Sequence, residues 1–443
     1  MSAPTAAAET EELLRTLIRL DTVNPPGDER AAQEYLADHL QRAGFHCELI
    51  GAEPGRPNLL ARLRAADAPP PDEPVGDGPT LCYLGHVDTV LADAREWTHD
   101  PWSGDVADGF MWGRGALDMK SQVAAEVAAA ATLARSGWRP AAGELLIAAV
   151  VDEETGGSLG AEWITKNHPE KVRCDLLINE GGGEHFEYRG GRFYGVCCAE
   201  KGVFRFTVTT DGVAGHASMP AMGDNALVKM APVLERLAAR QPGYELTDEP
   251  RAMLAGIGED ADDVGASISR MRDEQAMLAT MFEPMFGVTF TPTRISASEK
   301  INVIPSRAEL KVDCRVPPGL GEEAVRRGIA EVLGDDGFEI EFTEQVVGNR
   351  SPMRSQLMDT IGAWIAERDP GARVVPVILP GFTDSRHFRA AFPECVAYGF
   401  FPQRHQSMLE TAPLVHSADE RIDVRDLAFA ADFFGHLATR TLG

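Results

Sequence analysis

The chain has 443 residues, 44% hydrophobic and 25% charged, with 68 acidic residues against 42 basic ones and a net charge of −26. The length predicts two domains, and the composition predicts a folded globular protein over most of it. The negative field repels phosphate backbones and anionic lipid, which excludes nucleic acid and membrane surfaces as partners and suits a protein that concentrates cations.

Residues 1–12 are Ala-rich without Lys or Arg, so no signal peptide is expected, and no apolar run reaches the roughly 18 residues of a membrane span. Leu13, Leu14, Leu17 and Ile18 recur at helical spacing, with Thr10 as the expected cap. The turn at 24–28 ends that helix, and a second is predicted over 29–43, with Ala32, Tyr35, Leu36 and Leu40 on one face. The segment 65–79, with five prolines and three aspartates, reads as a surface loop. Strands are predicted at 80–84, 145–151 and 176–178, with helices at 121–135 and 161–167 between them. Such alternation argues for an α/β layer with a largely parallel sheet.

Past Gly190 the texture changes. Residues 194–199 and 204–210 alternate like antiparallel strands, and a helix follows at 224–240. After an irregular, Met-rich stretch come strands near 295 and at 308–316, a helix at 322–333 and a strand at 338–342. This pattern predicts a small α/β sandwich inserted into the first domain. The α/β texture returns after 349 and ends in an amphipathic helix at 424–439. The expected division is 1–193 and 350–443 for one domain and 194–349 for the insert. Seven cysteines, an odd number without a C-x-x-C pair, predict reduced, buried thiols in a cytoplasmic protein.

The chemistry-bearing residues follow the predicted strands. In Gly85-His86-Val87-Asp88, alternation puts His86 and Asp88 on one side. A ligating imidazole donates its second N–H to an oxygen partner, a need Asp88 meets; a plain polar pair at a strand end is the competing reading. Asp118, in Gly113-Arg114-Gly115-Ala116-Leu117-Asp118-Met119-Lys120, opens a predicted helix, where an N-cap is the commoner role. Asp152-Glu153-Glu154 follows a strand expected to be buried, and Asn179-Glu180-Gly181-Gly182 repeats the arrangement. Acids there lie where open α/β sheets bind ligands. His416 precedes the last helix. Asp88, Asp118, Glu153, Glu154 and Glu180 gathered in one site repel without cations. Imidazole and carboxylate ligands without thiolates suit Zn²⁺, Co²⁺ or Mn²⁺, and there are enough of them for two ions.

Taken together, G-H-x-D, G-R-G-x-x-D-x-K, the acid pair before glycines, the later acid, Gly215-His216-Ala217-Ser218, Asn302-Val303-Ile304-Pro305 and the C-terminal His resemble the M20 family of metallopeptidases and amidohydrolases. The resemblance runs from Thr22 almost to the end of the chain. It implies a zinc-peptidase-like catalytic domain with a mostly parallel central sheet, plus an inserted α/β lid through which the chain forms a homodimer. It implies two divalent ions, most often Zn²⁺. His86 and Glu180 would hold one, Glu154 and His416 the other, and Asp118 would bridge them. Asp88 would orient His86, and Glu153 would be the general base. Glu184 is the alternative acid to Glu180. His216 would be the lid residue that polarises the scissile carbonyl in the partner's site, and Asn302 and Arg315 would hold substrate oxygens and carboxylate. A sheet-edge ion pair is the competing role for Arg315. The implied substrate is a small N-acyl amino acid or short peptide with a free carboxylate. The apolar side chains of 241–293 read as lid core or dimer surface, with an acyl pocket as the lesser alternative.

Two rivals belong to other classes. Gly156-Gly157-Ser158-Leu159-Gly160 fits the serine-nucleophile elbow, although four residues separate Val151 from Gly156 where an elbow turns directly off its strand. A non-catalytic binder on the same scaffold would lack the base or the bridging acid, and both are present here.

Overall fold

Strands covered on both faces run as unbroken apolar stretches, and Thr80–His86 and Glu144–Val150 are buried at every residue. They form the middle of the fold in a computed structural model that describes residues 5–70, 73, 75 and 78–443. The start of the Ala-rich segment 1–12 and part of the loop expected at 65–79 lie outside the described residues. Contacts divide the chain into two units. The first comprises Met1–Cys198, Ser351–Pro376 and Thr383–Gly443, and the second Ala199–Arg350 with Val377–Phe382.

The first unit is built on β1 (His46–Ile50), β2 (Asn58–Arg64), β3 (Thr80–His86), β4 (Glu144–Val150), β5 (Leu176–Asn179), β6 (Glu184–Tyr188), β7 (Gly191–Glu200), β8 (Val396–Gly399) and β9 (Gln403–Ser407). Their order in the sheet is β1-β2-β4-β3-β5-β8-β7-β6-β9. The centre, β4-β3-β5-β8, is parallel. Antiparallel pairs flank it, β1-β2-β4 on one side and β8-β7-β6 on the other. The carboxyl ends of β4, β3 and β5 therefore lie side by side, with His86 paired to Val150 at the last rung.

One face of this sheet carries α1 (Ala6–Arg19), α2 (Arg30–Ala43), α3 (Lys120–Arg135), α4 (Gln356–Arg368) and α5 (Val424–Leu442). Helix α3 is buried on nearly every side, all but Thr132, Leu133 and Arg135, as its run of alanines requires of a helix at the centre of a layer. Trp364 of α4 packs against Phe429 and Phe433 of α5 with ring centroids 4.6 and 5.0 Å apart. Truncating a buried ring of this kind costs about 3–5 kcal/mol. The other face is covered by Ala161–Asn167 and Ser385–Ala391.

The second unit pairs strands Phe206–Asp211, Thr289–Ser296, Arg307–Val316 and Glu339–Phe342 antiparallel, with helices Ala226–Ala239 and Glu322–Leu333 packed on them. No helix among the described residues is long and apolar enough to cross a membrane. All seven cysteines are free, and six of them are buried.

Three local expectations are corrected. Thr5, not Thr10, caps α1; the Thr10 hydroxyl instead donates to the Ala6 carbonyl at 2.8 Å. Asp118 neither opens nor caps α3, which starts at Lys120. Its side chain is taken up by two histidines. The Met-rich stretch folds into helices Asp248–Ile257, Val264–Glu274 and Ala276–Phe282. They are short, separated by Gly258, the cap Asp263 and the extended Gln275, so no long period marks them. Phe282, Met285, Phe286 and Phe290 are core, whereas Met277 is exposed.

Candidate metal centre

Two triads of ligand-type side chains meet beyond the sheet's carboxyl edge. In the first, His86 Nε2 lies 3.1 Å from Asp118 Oδ1 and 3.7 Å from Glu180 Oε1. In the second, His416 Nε2 lies 3.0 Å from Asp118 Oδ2 and 3.2 Å from Glu154 Oε2. Within each triad the donor atoms are all within 4.8 Å of one another. Asp118 belongs to both, facing one imidazole with each oxygen. Glu153 stands beside the first triad, its Oε2 4.0 Å from His86 Nε2. Glu184 lies in β6 and belongs to neither triad.

His86 ends β3 and is 1% exposed. Its Nδ1 donates to the backbone carbonyl of Asp88 at 3.0 Å, closer than the Asp88 carboxylate at 3.5 Å. A carbonyl only accepts, so Nδ1 carries a proton, and Nε2 is the nitrogen turned toward the acids. The Asp88 carboxylate holds the acidic turn. It accepts the backbone N–H groups of Glu153 at 3.2 Å and Glu154 at 3.1 Å, and the side-chain amide of Asn24 at 2.9 Å. Asn24 also donates to Asp152 and Thr155, both at 3.2 Å. Asp152 starts the turn at φ +71°, a left-handed conformation tolerated by a short polar side chain.

On the other side, His416 sits at φ +58° in a loop with its side chain 51% exposed. The loop ends at Glu420, which is fully buried. The Glu420 carboxylate accepts the backbone N–H groups of Leu117 at 2.6 Å and Asp118 at 3.1 Å, and pairs with Arg114 at 2.6 Å. Arg114 donates in turn to the Ser417 carbonyl at 3.0 Å. Arg114 falls within a quoted motif and Asn24 within the predicted turn, yet sequence reasoning assigned no work to them or to Glu420. A charged or amide side chain destined for burial is the one signal they carry.

The electrostatics call for cations. Among the described residues no Lys or Arg ion-pairs with Asp118, Glu154 or Glu180. Burial raises the Glu180 pKa well above the carboxylate range, and the charge of Asp118 adds to it. Burial likewise pushes Glu153 up, with Asp384 and Asp118 adding and His86 opposing. Hydrogen bonds to Asp118 and then Glu154 push His416 up to about 10. Asp118 is driven far down: burial acts against this, but its bonds to His416 and His86 prevail. These shifts mark acids crowded together out of water, and divalent ions relieve such crowding in a donor set of this kind. The oxygen and imidazole donors, two triads deep, fit a pair of divalent ions.

The remaining expected residues belong to the second unit. His216 is exposed and its Nδ1 accepts from the Ser218 hydroxyl at 2.8 Å. Asn302 is exposed, its carbonyl accepting from Ala217 N–H at 3.1 Å. Arg315 pairs with Asp313 at 2.7 Å and lies 5.8 Å over the Phe382 ring. Ser158, in the first unit, is exposed and donates to Asp152 at 3.0 Å, not to a histidine.

The comparisons with known proteins supply the class. Residues 82–440 match Peptidase family M20/M25/M40, and the chain belongs to that family. It is 26% identical over 424 residues to a succinyl-diaminopimelate desuccinylase from Cereibacter sphaeroides, covering 94% of each chain. Its fold matches an M20 family metallo-carboxypeptidase from Sulfolobus solfataricus with a TM-score of 0.68 at 17% identity, over 97% of this chain and 98% of that one. It also matches a dinuclear metal-binding M20 peptidase from Bacillus subtilis with a TM-score of 0.57 at 14% identity, over 99% of this chain and 98% of the other.

Proposed function

We propose that this protein hydrolyses the amide or peptide bond of a small N-acyl amino acid or short peptide, using two divalent ions, Zn²⁺ before Co²⁺ or Mn²⁺. The observation that carries the reading is Asp118, one oxygen on each histidine, with Glu153 alongside. His86 and Glu180 would hold one ion, His416 and Glu154 the other, with Asp118 available to both. Such ions supply Lewis acidity toward a carbonyl and toward water, whose pKa they lower from about 15.7 to about 7. Glu153 takes the proton of the attacking water at its carboxylate and passes it to the leaving amine. Burial and the neighbouring acids push its pKa upward, the direction that favours proton uptake by a carboxylate. A base of this kind contributes about 10²–10⁴-fold. Asp88 keeps the His86 proton on Nδ1 and keeps the acidic turn in place.

His216 is the lid donor to the carbonyl oxygen, supplied by a second copy of the chain, and Asn302 and Arg315 take the substrate carboxylate. The desuccinylase and the carboxypeptidase among the similar proteins name the two chemistries to be separated, removal of an acyl group and removal of a terminal residue. A homodimer through the second unit is supported by its exposed Val228, Met222 and Ile301. The free thiols suit the cytoplasm.

The deciding experiment assays N-acyl amino acids and dipeptides after exhaustive chelation, with Zn²⁺, Co²⁺ and Mn²⁺ restored separately. Activity is expected to vanish and return with metal. A preparation fully active after chelation overturns the reading.

A further inference from the structure

The two triads are anchored differently. His86 is the last residue of β3 and Glu180 directly follows β5, strands paired within a buried sheet. His416 stands on an irregular loop whose attachment runs through two charged side chains, Arg114 and Glu420, neither of which faces a triad. Each end of this pair also grips backbone. Glu420 takes the N–H groups of Leu117 and Asp118, and Arg114 takes the Ser417 carbonyl, one residue beyond His416. The Gly113 N–H donates to the Glu420 carbonyl at 3.0 Å, closing the same ring. The loop is tied a second time where the Asp419 carboxylate accepts from Thr98, but that contact is exposed.

We propose that Arg114 and Glu420 are a positioning pair that joins the Asp118 loop to the His416 loop and so sets the affinity of the second ion site, His416–Glu154–Asp118. The proposal rests on the two-ion reading above. The Glu420 carboxylate fixes the Asp118 backbone, and the Arg114 fork fixes the backbone beside His416, so the 3.0 Å spacing of the two ligands depends on both. The first site keeps its two other ligands on strand ends without them. Arginine is needed at one end because its planar fork donates in two directions at once, which a lysine ammonium does with less fixed geometry.

The test titrates the metal-free full chain with Co²⁺ by calorimetry and follows the visible spectrum of each binding step. The variants are E420A, E420Q, R114Q and R114K, each checked for a wild-type circular dichroism spectrum. E420Q keeps an oxygen for the two N–H groups and loses only the charge pair, so it serves if E420A does not fold. Wild type is expected to bind two ions. E420Q and R114Q are expected to weaken the second step by about 10–100-fold, the usual cost of losing an outer partner of a ligand, and the first step, which shares only Asp118 with it, by much less. R114K is expected to fall between R114Q and wild type. Two wild-type steps that persist unaltered in E420Q and R114Q overturn the positioning role, as does equal weakening of both steps, which is what general loosening of the fold produces. One step or none in the wild type overturns the two-ion reading itself.

Discussion

The first unit brings its candidate residues within contact of one another; the second leaves His216 and Asn302 exposed and Arg315 engaged with a neighbour. Seven side chains from separate stretches of the first unit, His86 to His416, form one cluster in which each acid lies within 4.0 Å of a histidine nitrogen. Arg315 shares Asp313 with Arg205, so its charge is answered within its own sheet. The difference separates a site that is organised before substrate arrives from groups whose proposed work depends on what they meet. Preorganised donors act without reorganisation at the moment of reaction, which is where most electrostatic catalysis comes from.

That contrast can be broken at several points. The largest effect is expected of Asp118→Ala, which removes a ligand from both triads: metal analysis should show both ions lost or depleted, and turnover should fall to background. Full occupancy with two ions in this variant would end the bridging assignment. Next, Glu153→Gln is expected to keep both ions and lose about 10²–10⁴-fold in kcat, since only the base is removed. Near wild-type turnover there assigns the proton transfer elsewhere.

His216→Ala sharpens the comparison from the side of the second unit. It should leave metal content and folding untouched and reduce kcat by about 10²–10³-fold if it supplies a donor to the carbonyl oxygen. Unchanged kcat reduces it to a surface histidine. A smaller effect concerns pH. Lys201 is buried in the second unit, donating to the carbonyls of Pro284 at 2.7 Å and Gly287 at 2.8 Å. Burial lowers its pKa to about 7. The native state therefore binds fewer protons than the unfolded chain between that value and the ordinary lysine pKa of about 10.4, and stability rises with pH across this window. Thermal midpoints of wild type and Lys201→Met measured from pH 7 to 10 should diverge, the wild type gaining as pH rises. Parallel curves would place the lysine pKa near its ordinary value. Smallest, Thr5→Ala removes the α1 cap and should cost about 0.5–2 kcal/mol in chemical denaturation without touching activity. No change would leave that cap without weight.

The parts of this molecule legible in the sequence are those with a strong local signature. The buried runs at β3 and β4 announce themselves as strands, and the acids at their ends stand out because nothing apolar explains them. The parts that were not legible depend on distant partners. Glu420 carries no local mark of its role; only the fold, bringing it to Arg114 some 300 positions away, makes it a buried anchor. Asn24 looks like turn chemistry next to two prolines until β3 and the acidic turn arrive beside it. The helices of 248–282 are each too short for a periodic pattern to rise above its flanks. Asp118 fits the profile of an N-cap, and two histidines at 3.1 and 3.0 Å override that local preference.

The order of the ligands along the chain bears on how the protein is made. Four of the five candidate ligands are synthesised by residue 180, but the fifth, His416, and its anchor Glu420 come 236 and 240 positions later, just ahead of the helix Val424–Leu442. A chain still on the ribosome, folding from its N-terminal end, therefore carries half a centre. On the two-ion reading, the second triad closes only after residues 416–420 have been made, so the shared acid Asp118 waits for the ligand that comes last in chain order.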